Sequence, residues 1–553
     1  MGEWKVERRG RRSGGRGRWR QAALAAAAAT AQWACPPSAA AFEWDGAQGD
    51  LRLHWDNSVR YSAGFRVREP SATLLGDANQ DDGDRNFRRK GLISHRVDLL
   101  SDLDVVWQER FGARLSGAAW YDAVYQRGNR HDAPATANAA SVPPNEFTAA
   151  TRDQHGRKAE WLDAFVFAKG DIGGQRWGVR AGRHTLLWGE TLFFGANGIA
   201  GGQAPVDLVK LLSVPNSQFK EIIRPTGQLS GSLQVTPDLL LGAYWQYEWE
   251  KTRLPAVGSY FSGQDLFDVG GERFFVPPFL SPTGVLARGQ DLPARDHGQG
   301  GLQLRFRLPQ GQTDYGLYAI RYHDKTPQFY VNPLLGTYSL AYHEGVRAYG
   351  MSANRTFGDV NLAAEASVRH NAPLVNDTAL NLSPAAPAAG NPQYPVGKTA
   401  HVNVSSIWTL PATPLFTEGV LLAEVAFNRR LSVSNGAGTL AALSTRDAWG
   451  LRMQLTPTYR QVLPGLDLDL PIGLGFNPQG RSQAVSFFNG GVHRGGDLSV
   501  GLLGNYLNTW KAGVTYTHYF GAEGTTLDRQ GRLSFRHNLR DRDFIAVTAQ
   551  TTF

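Results

Sequence analysis

The feature that most constrains this chain is a two-beat rhythm: segments with period-two alternation, joined by connections that are short and long in turn. In LRLHWDNSVRYSAGFRV, Leu51, Leu53, Trp55, Val59, Tyr61, Phe65 and Val67 fall on one face, and Arg52, His54, Asp56, Ser58, Arg60 and Arg66 on the other. In RVDLLSDLDVVW, Val97, Leu99, Leu103, Val105 and Trp107 oppose Asp98, Asp102 and Asp104. FGARLSGAAWYDAVY follows after a turn, and the pattern recurs near 160–169, 176–186, 227–236, 239–251, 298–308, 313–323, 345–356, 360–369, 400–410 and 420–430. It closes with 447–460, 465–475, 497–507, 509–519 and 543–553. Such alternation marks half-buried β-strands. The count is eighteen, or sixteen if 497–507 and 509–519 are not strands. Most segments have about ten residues or a few more, the length a tilted transmembrane strand needs.

QER, GDIGGQ, TPD, LPQGQ, FGD and VLPG are tight turns. Between them lie long stretches rich in Gly, Pro, Asn and Asp at 68–91, 126–159, 187–226, 252–297, 324–344, 370–399, 431–446, 476–496 and 520–542. Short periplasmic turns, long extracellular loops and an even strand number describe an outer-membrane β-barrel. A β-sandwich has no such rhythm in its loops, and a β-helix needs a fixed repeat that is absent. The expected fold is therefore all-β, a single transmembrane antiparallel barrel over 42–553. Its apolar phase faces lipid and its polar phase a lumen. Trp55, Trp107, Trp249, Trp408, Trp449 and Trp510 sit near strand ends and, as a set, fit interfacial aromatic girdles.

Residues 1–41 read as an export signal: an arginine-rich start, the apolar AALAAAAATAQWA, and PPSAAA with a small-residue cleavage site after Ala41. Their eight Lys/Arg and two Glu carry +6, so the formal charge of +8 falls to 8 − 6 = +2 in the mature chain. The basic balance thus gives no reason to expect a nucleic-acid partner. The single cysteine, Cys35, lies in the removed segment, which leaves no disulfide and no thiolate metal site.

The most distinctive region is RAGRHTLLWGETLFFGANGIAGGQAPVDLVKLLSVPNSQFKEIIRPTG. Arg180, Arg183, His184, Trp188 and Glu190 gather where a strand runs into a glycine-rich stretch, and PVDLVKLL has a short amphipathic helical pattern with Pro205 at its start. A connection like 187–226 either folds into the barrel, making Lys210, Lys220, Glu221 and Arg224 constriction residues, or stays outside as a solvated loop. Glu248, Glu365, Arg369 and Glu424 take lumen-phase positions, where they form either a selectivity lining or a structural ion-pair network.

GRHTLLWGETLFF, KEIIRP, YWQYEWEKTRLPAVGSYFS, RYHDKTPQF, AAEASVRHNAPL, DRDFIAVTAQTTF and LGDANQDDGDRNF together resemble a large family of proteobacterial outer-membrane proteins known as a domain of unknown function. The resemblance spans about 43–553. It implies a β-barrel accompanied by a lipid-carrier-like periplasmic protein and resistance-nodulation-division (RND-type) transporters, in settings of hydrophobic-compound metabolism. It brings no substrate and no catalytic residue.

In GDANQDDGD, Asp77, Asn79 and Asp81 have the one-three-five spacing of a calcium loop, but Gly83 stands seventh rather than sixth and Arg88 replaces the twelfth-place Glu. The stretch reads as a solvated acidic turn, and no metal or cofactor is expected. Nucleophile-elbow, zincin and P-loop motifs are absent from the sequence, so no enzyme is expected. The expected function is an outer-membrane channel or transporter for a small hydrophobic or amphipathic solute. The alternatives are a lipid-modifying barrel enzyme, or a barrel anchor that docks a periplasmic carrier. The terminal strand places Ile545, Val547, Ala549, Thr551 and Phe553 on one face. Phe553 is expected to be the signal read by the barrel-assembly machinery, with outer-membrane lipid around it.

Overall fold

A computed structural model describes residues 42–46, 50–214, 217, 219–309, 311–385 and 392–553. The proposed export signal lies outside these residues. The chain forms one closed antiparallel barrel of eighteen staves. In chain order they are β1 (Leu51–Arg66), β2 (Gly91–Trp107), β3 (Phe111–Asp122), β4 (Arg157–Ile172), β5 (Gln175–His184), β6 (Thr226–Thr236), β7 (Leu239–Gln246), β8 (Gln299–Arg307) and β9 (Asp314–Tyr322). There follow β10 (Val346–Phe357), β11 (Val360–Pro373), β12 (Val396–Leu410), β13 (Glu418–Asn435), β14 (Asp447–Leu463), β15 (Leu466–Asp469 with Ile472–Gly480), β16 (Gly496–Tyr506), β17 (Trp510–Phe520) and β18 (Phe544–Thr552). Each periodic segment of the sequence becomes one stave, the pair at 497–519 included. β15 is interrupted at Pro471, which has no N–H to give to the ladder.

Closure comes from β18 lying against β1, in register from Ser58↔Thr552 to Arg66↔Phe544. Two main-chain bonds between Asn57 and Phe553 continue it, at 2.7 and 2.8 Å. A short strand, Phe42–Asp45, pairs with the lower part of β1. At the outer end of the seam, Arg66 and Arg542 each lie 2.8 Å from Asp84, and both guanidinium groups stand over the Tyr260 ring.

The phases fall as the alternation requires. Tyr61, Val97, Leu99 and Val547 are exposed on the outer surface, while Arg60, Asp98, Asp102 and Thr548 are buried inside. Trp55, Trp107, Trp408 and Trp510 are exposed toward the short-turn side, and Trp449 toward the long-loop side. Trp249 departs from this girdle: it lies past the end of β7 and packs on Tyr342 among the loops, ring centroids 4.8 Å apart.

Two features differ from the sequence expectation. Several staves outrun ten residues, reaching 18 in β13, because they continue beyond the lipid-facing band into the loops. The loops also hold structure of their own: a five-stranded sheet made of Arg273–Phe275, Val285–Arg288, Gln328–Asn332, Thr337–Ala341 and Ala379–Leu380. Leu266, Phe274, Leu286, Phe329, Tyr338 and Leu340 form its core.

Candidate functional site: a segment anchored across the lumen

The long connection from β5 to β6 meets lumen-facing side chains on many staves. It leaves β5 at His184, whose Nε2 is 2.8 Å from Ser230 Oγ. Trp188 then packs edge-on against Tyr244 and joins Tyr318, Ile320 and Tyr322, all on inward phases of β7 and β9. The stretch from Gly189 to Gly202 crosses to β11–β13. Glu365 accepts the Glu190 N–H on one oxygen (2.9 Å) and the Ile199 N–H on the other (2.6 Å). Glu424 gathers three consecutive N–H groups, those of Leu192, Phe193 and Phe194, on one oxygen, and Asn403 donates to the other at 2.7 Å. Successive amides converging on one carboxylate make a small anion nest. Arg369 donates to the carbonyls of Ala196 and Gly198, each at 2.9 Å. Asn197 is held by His401, Asn403 and Asn428.

The glycines make this approach possible. A Cβ at Gly189 would stand 2.0 Å from a Glu365 oxygen, and its φ of +99° is one that side-chain-bearing residues rarely adopt. A Cβ at Gly198 would come within 2.8 Å of the other oxygen.

The second half of the connection meets β1 and β2, well round the wall from β11–β13. A helix, Leu208–Ser213, is capped by Asp207, whose side chain accepts the Lys210 N–H. The cap is therefore Asp207, and Pro205 stands two residues before it. Lys210 Nζ is 2.8 Å from Glu221, which lies in the following helix Phe219–Ile222. Arg60 of β1 grips Glu221 with both nitrogens, at 3.1 and 2.9 Å. Asp98 of β2, bound by Arg96 at 2.7 and 2.8 Å, lies 3.8 Å from Arg60 and 4.0 Å from Lys210. Burial alone would raise the Glu221 carboxyl, but Lys210 and Arg60 outweigh it and hold the group at about 2. The ring of Trp120 floors the cluster, with Arg96, Lys210 and Arg253 at 4.8, 5.1 and 5.7 Å. The side chain of Lys220 is outside the described ones.

The remaining candidates part ways. Arg183 shares its phase with the exposed Val179 rather than with the lumen, and its guanidinium is held by Glu248 and Glu250. Glu248 lies past the end of β7, so it is not a lumen position of that stave. From there an alternating chain of charges continues: Glu250 to Arg224 at 2.7 Å, Arg224 to Glu160 at 3.6 Å, Glu160 to Arg253, and Arg253 to Asp207 at 2.6 Å. These residues form a structural network at the base of the connection. Arg180 keeps a lumen phase, exposed and standing over the Phe165 ring. Glu190 faces Asn354 (2.8 Å) and Arg305 (3.6 Å) on the short-turn side of the crossing. Glu365, Arg369 and Glu424 do face inward, but buried against the crossing segment rather than lining open water.

The acidic stretch at 77–84 is not a solvated turn. Asp81, Asp82 and Asp84 are buried, because the neighbouring loops fold over them. Asp77 and Asn79 are used locally and against Phe275, so the spacing does not make a calcium loop. Asp81, Asp82 and His131 bring ligand atoms within 4.8 Å of one another, but each is engaged: Asp81 with Arg85, and Asp82 with His131 at 2.9 Å. Burial pushes the Asp81 carboxyl up to about 6 despite Arg85.

Above the crossing segment, on the long-loop side, lies an apolar cavity of about 90 Å³ that includes Phe267, Phe329, Phe487, Phe488 and Phe535 in its lining. Phe488 connects it to the crossing segment through Phe194, centroids 5.5 Å apart. Residues Phe487, Asn489, Gly490 and Gly491 all have positive φ, a strained strap at the cavity wall. Sequence reasoning overlooked Asn197, Asn403, Phe488 and this strap. The glycine-rich GANGIAGG was the only local sign of a close backbone approach.

Solved structures similar to this chain include the Acinetobacter baumannii proteins OccAB1 (8% identity, 91% of this chain and 96% of that one, TM-score 0.43) and OccAB3 (10%, 91% and 99%, 0.42). Pseudomonas aeruginosa OpdK is another (11%, 91% and 98%, 0.38). The fold described above rests on the chain's own hydrogen-bond ladder, not on these likenesses. No curated protein matches the sequence. The family profile described as "Protein of unknown function (DUF1302)" matches residues 22–553, nearly the whole chain, and the protein belongs to that family.

Proposed function

We propose that the protein is an outer-membrane channel for a small hydrophobic or amphipathic solute, with the β5–β6 connection as its constriction. The observation that carries this reading is the phenylalanine-lined cavity on the long-loop side, joined to the crossing segment by the Phe194–Phe488 contact. A solute pocket of this kind is largely apolar with a few polar groups. Here Asn376, Asn477 and Asn538 supply polar groups in the lining. The cavity holds only a small fragment as it stands, so a larger solute enters by displacing Phe487, which is half exposed. Beyond the crossing, Arg180, Glu190 and Arg305 give the passage its charged lower lining.

Proteoliposome uptake tests this. An aromatic monocarboxylate of benzoate size should enter faster than a neutral sugar of similar mass. Replacing Phe487 and Phe535 by Ser should lower aromatic entry about tenfold and leave sugar entry unchanged. Equal rates for both solutes in the native protein would refute the solute class. A folded barrel that admits neither, even with residues 189–202 removed, would refute the channel.

A further inference from the structure

Of five consecutive staves, four carry a cation and one a histidine on the outer surface toward the long loops. On β9 the outward phase runs Leu317, Ala319, Arg321; on β10 it runs Met351, Tyr349, Arg347; on β11, Ala366, Val368, His370. On β12 it runs Val404, Val402, Ala400, Lys398, and on β13 Val425, Phe427, Arg429. On β9, β10 and β12 the apolar run ends at the cation, on the side of the long loops. Register makes this a row: Arg321 pairs directly with Arg347, and Arg347 with His370. Arg429 pairs with Ala400, one outward position from Lys398.

A cation at such a rim is ordinarily neutralised by the protein. At β5 the rim guanidinium of Arg183 is taken by Glu248 and Glu250, and Arg429 at the end of the row has Asp447 at 3.3 Å. Among the described residues, Arg321, Arg347 and Lys398 have no carboxylate within ion-pair reach. Above Arg321 and Arg347 opens a groove of about 570 Å³ that also takes in Arg295, Glu344 and Asn371. Its one carboxylate among the described residues, Glu344, is paired with Arg295 at 3.0 Å. The groove therefore keeps two uncompensated guanidinium groups next to a hydrocarbon-facing band. Arginine suits phosphate because its planar fork donates two parallel hydrogen bonds.

We infer that the outer rim of β9–β12 is a binding site for a phosphorylated lipid of the leaflet facing the long loops. Its phosphate sits on Arg321 and Arg347 with Lys398 alongside, and its acyl chains lie on Leu317, Tyr349, Met351 and Val402. The site is independent of what passes through the lumen.

Native mass spectrometry of the folded barrel tests it, with bis-phosphorylated lipid A and its dephosphorylated form as probes. The native protein should retain the phosphorylated form at least tenfold more strongly, and raising salt should weaken that preference. Substituting Arg321→Gln, Arg347→Gln and Lys398→Gln together should abolish the preference. Removing Arg110, Arg176 and Lys511, exposed cations toward the short-turn side, should leave it intact. All three rim residues are exposed, so folding is expected to survive; should it fail, the salt dependence of the native protein decides. Equal retention of the two lipids, or an unchanged preference in the triple variant, would overturn the inference. So would displacement by micromolar inorganic phosphate, which would mark a free-anion site.

Discussion

Glu424 and Glu221 show how single side chains hold a long segment inside a barrel. Glu424 turns three main-chain amides toward one oxygen, and a charged acceptor makes each such bond roughly twice as strong as a neutral one. In Glu424→Gln the amide oxygen still accepts but the charge is gone. Replacement by Ala also leaves the three amides and Asn403 without their acceptor, a loss of about 1–3 kcal/mol for each buried group left unpaired. Planar-bilayer recordings should therefore show larger and noisier conductance for Glu424→Ala than for Glu424→Gln. Glu221 adds a pH dependence. Its folded carboxyl sits near 2, against an ordinary 4.5. A depressed carboxyl contributes stability that is complete above pH 4.5 and lost as pH falls toward 2. The amount is on the order of 3 kcal/mol. Between pH 4.5 and 2.5, residues 206–223 should become progressively more open to an acid-stable protease, and Glu221→Gln should show that openness already at neutral pH. Protection unchanged down to pH 2.5 would mean that other contacts hold the segment.

The staves and the crossing segment differ in how far sequence reveals them. A stave is half buried with a different solvent on each side, so its alternation is written locally: LRLHWDNSVRYSAGFRV reads as β1 without knowledge of its neighbours. The loop strand Gln328–Asn332 is buried on both faces, so it carries no alternation and reads as loop. The crossing segment is harder still, because its place depends on pairings such as Glu190 with Glu365 and Phe194 with Glu424, which lie 175 and 230 residues apart. The charges at Glu365, Arg369 and Glu424 could be assigned to the lumen phase from their strands. That they meet main-chain groups instead of water depends on GETLFFGANG arriving opposite them. Since the ladder of the staves takes no part from that segment, deleting 189–202 should leave a barrel that still shows heat-modifiable migration, while single-channel conductance rises severalfold. Loss of the folded band would mean that the segment helps to shape the wall.

Across the whole molecule, exposure to the outside has two meanings. Met351, in the middle of β10, is 60% exposed, and Leu334, in a long loop, is 64% exposed; by exposure alone the two are alike. Their solvents differ. Met351 sits between the outward-facing Leu317 of β9 and Ala366 of β11, within the apolar band that the rim cations close off. Leu334 lies beyond the band, in the turn between two strands of the loop sheet. A lysine at the hydrocarbon midplane of a barrel costs about 2–4 kcal/mol, and the cost fades to about 0–1 near the interface. Met351→Lys should accordingly lower the stability of the vesicle-embedded barrel by about 2–4 kcal/mol. Leu334→Lys should change it by no more than about 0.5 kcal/mol, as at an ordinary water-facing site. Urea unfolding followed by tryptophan fluorescence in phospholipid vesicles measures both. The contrast should disappear in a detergent micelle loose enough to let water reach position 351, since the penalty belongs to the surrounding hydrocarbon and not to a lost contact. Equal effects of the two substitutions in vesicles would mean that the β9–β11 face does not meet lipid, and the rim row above it would lose its place at a membrane surface.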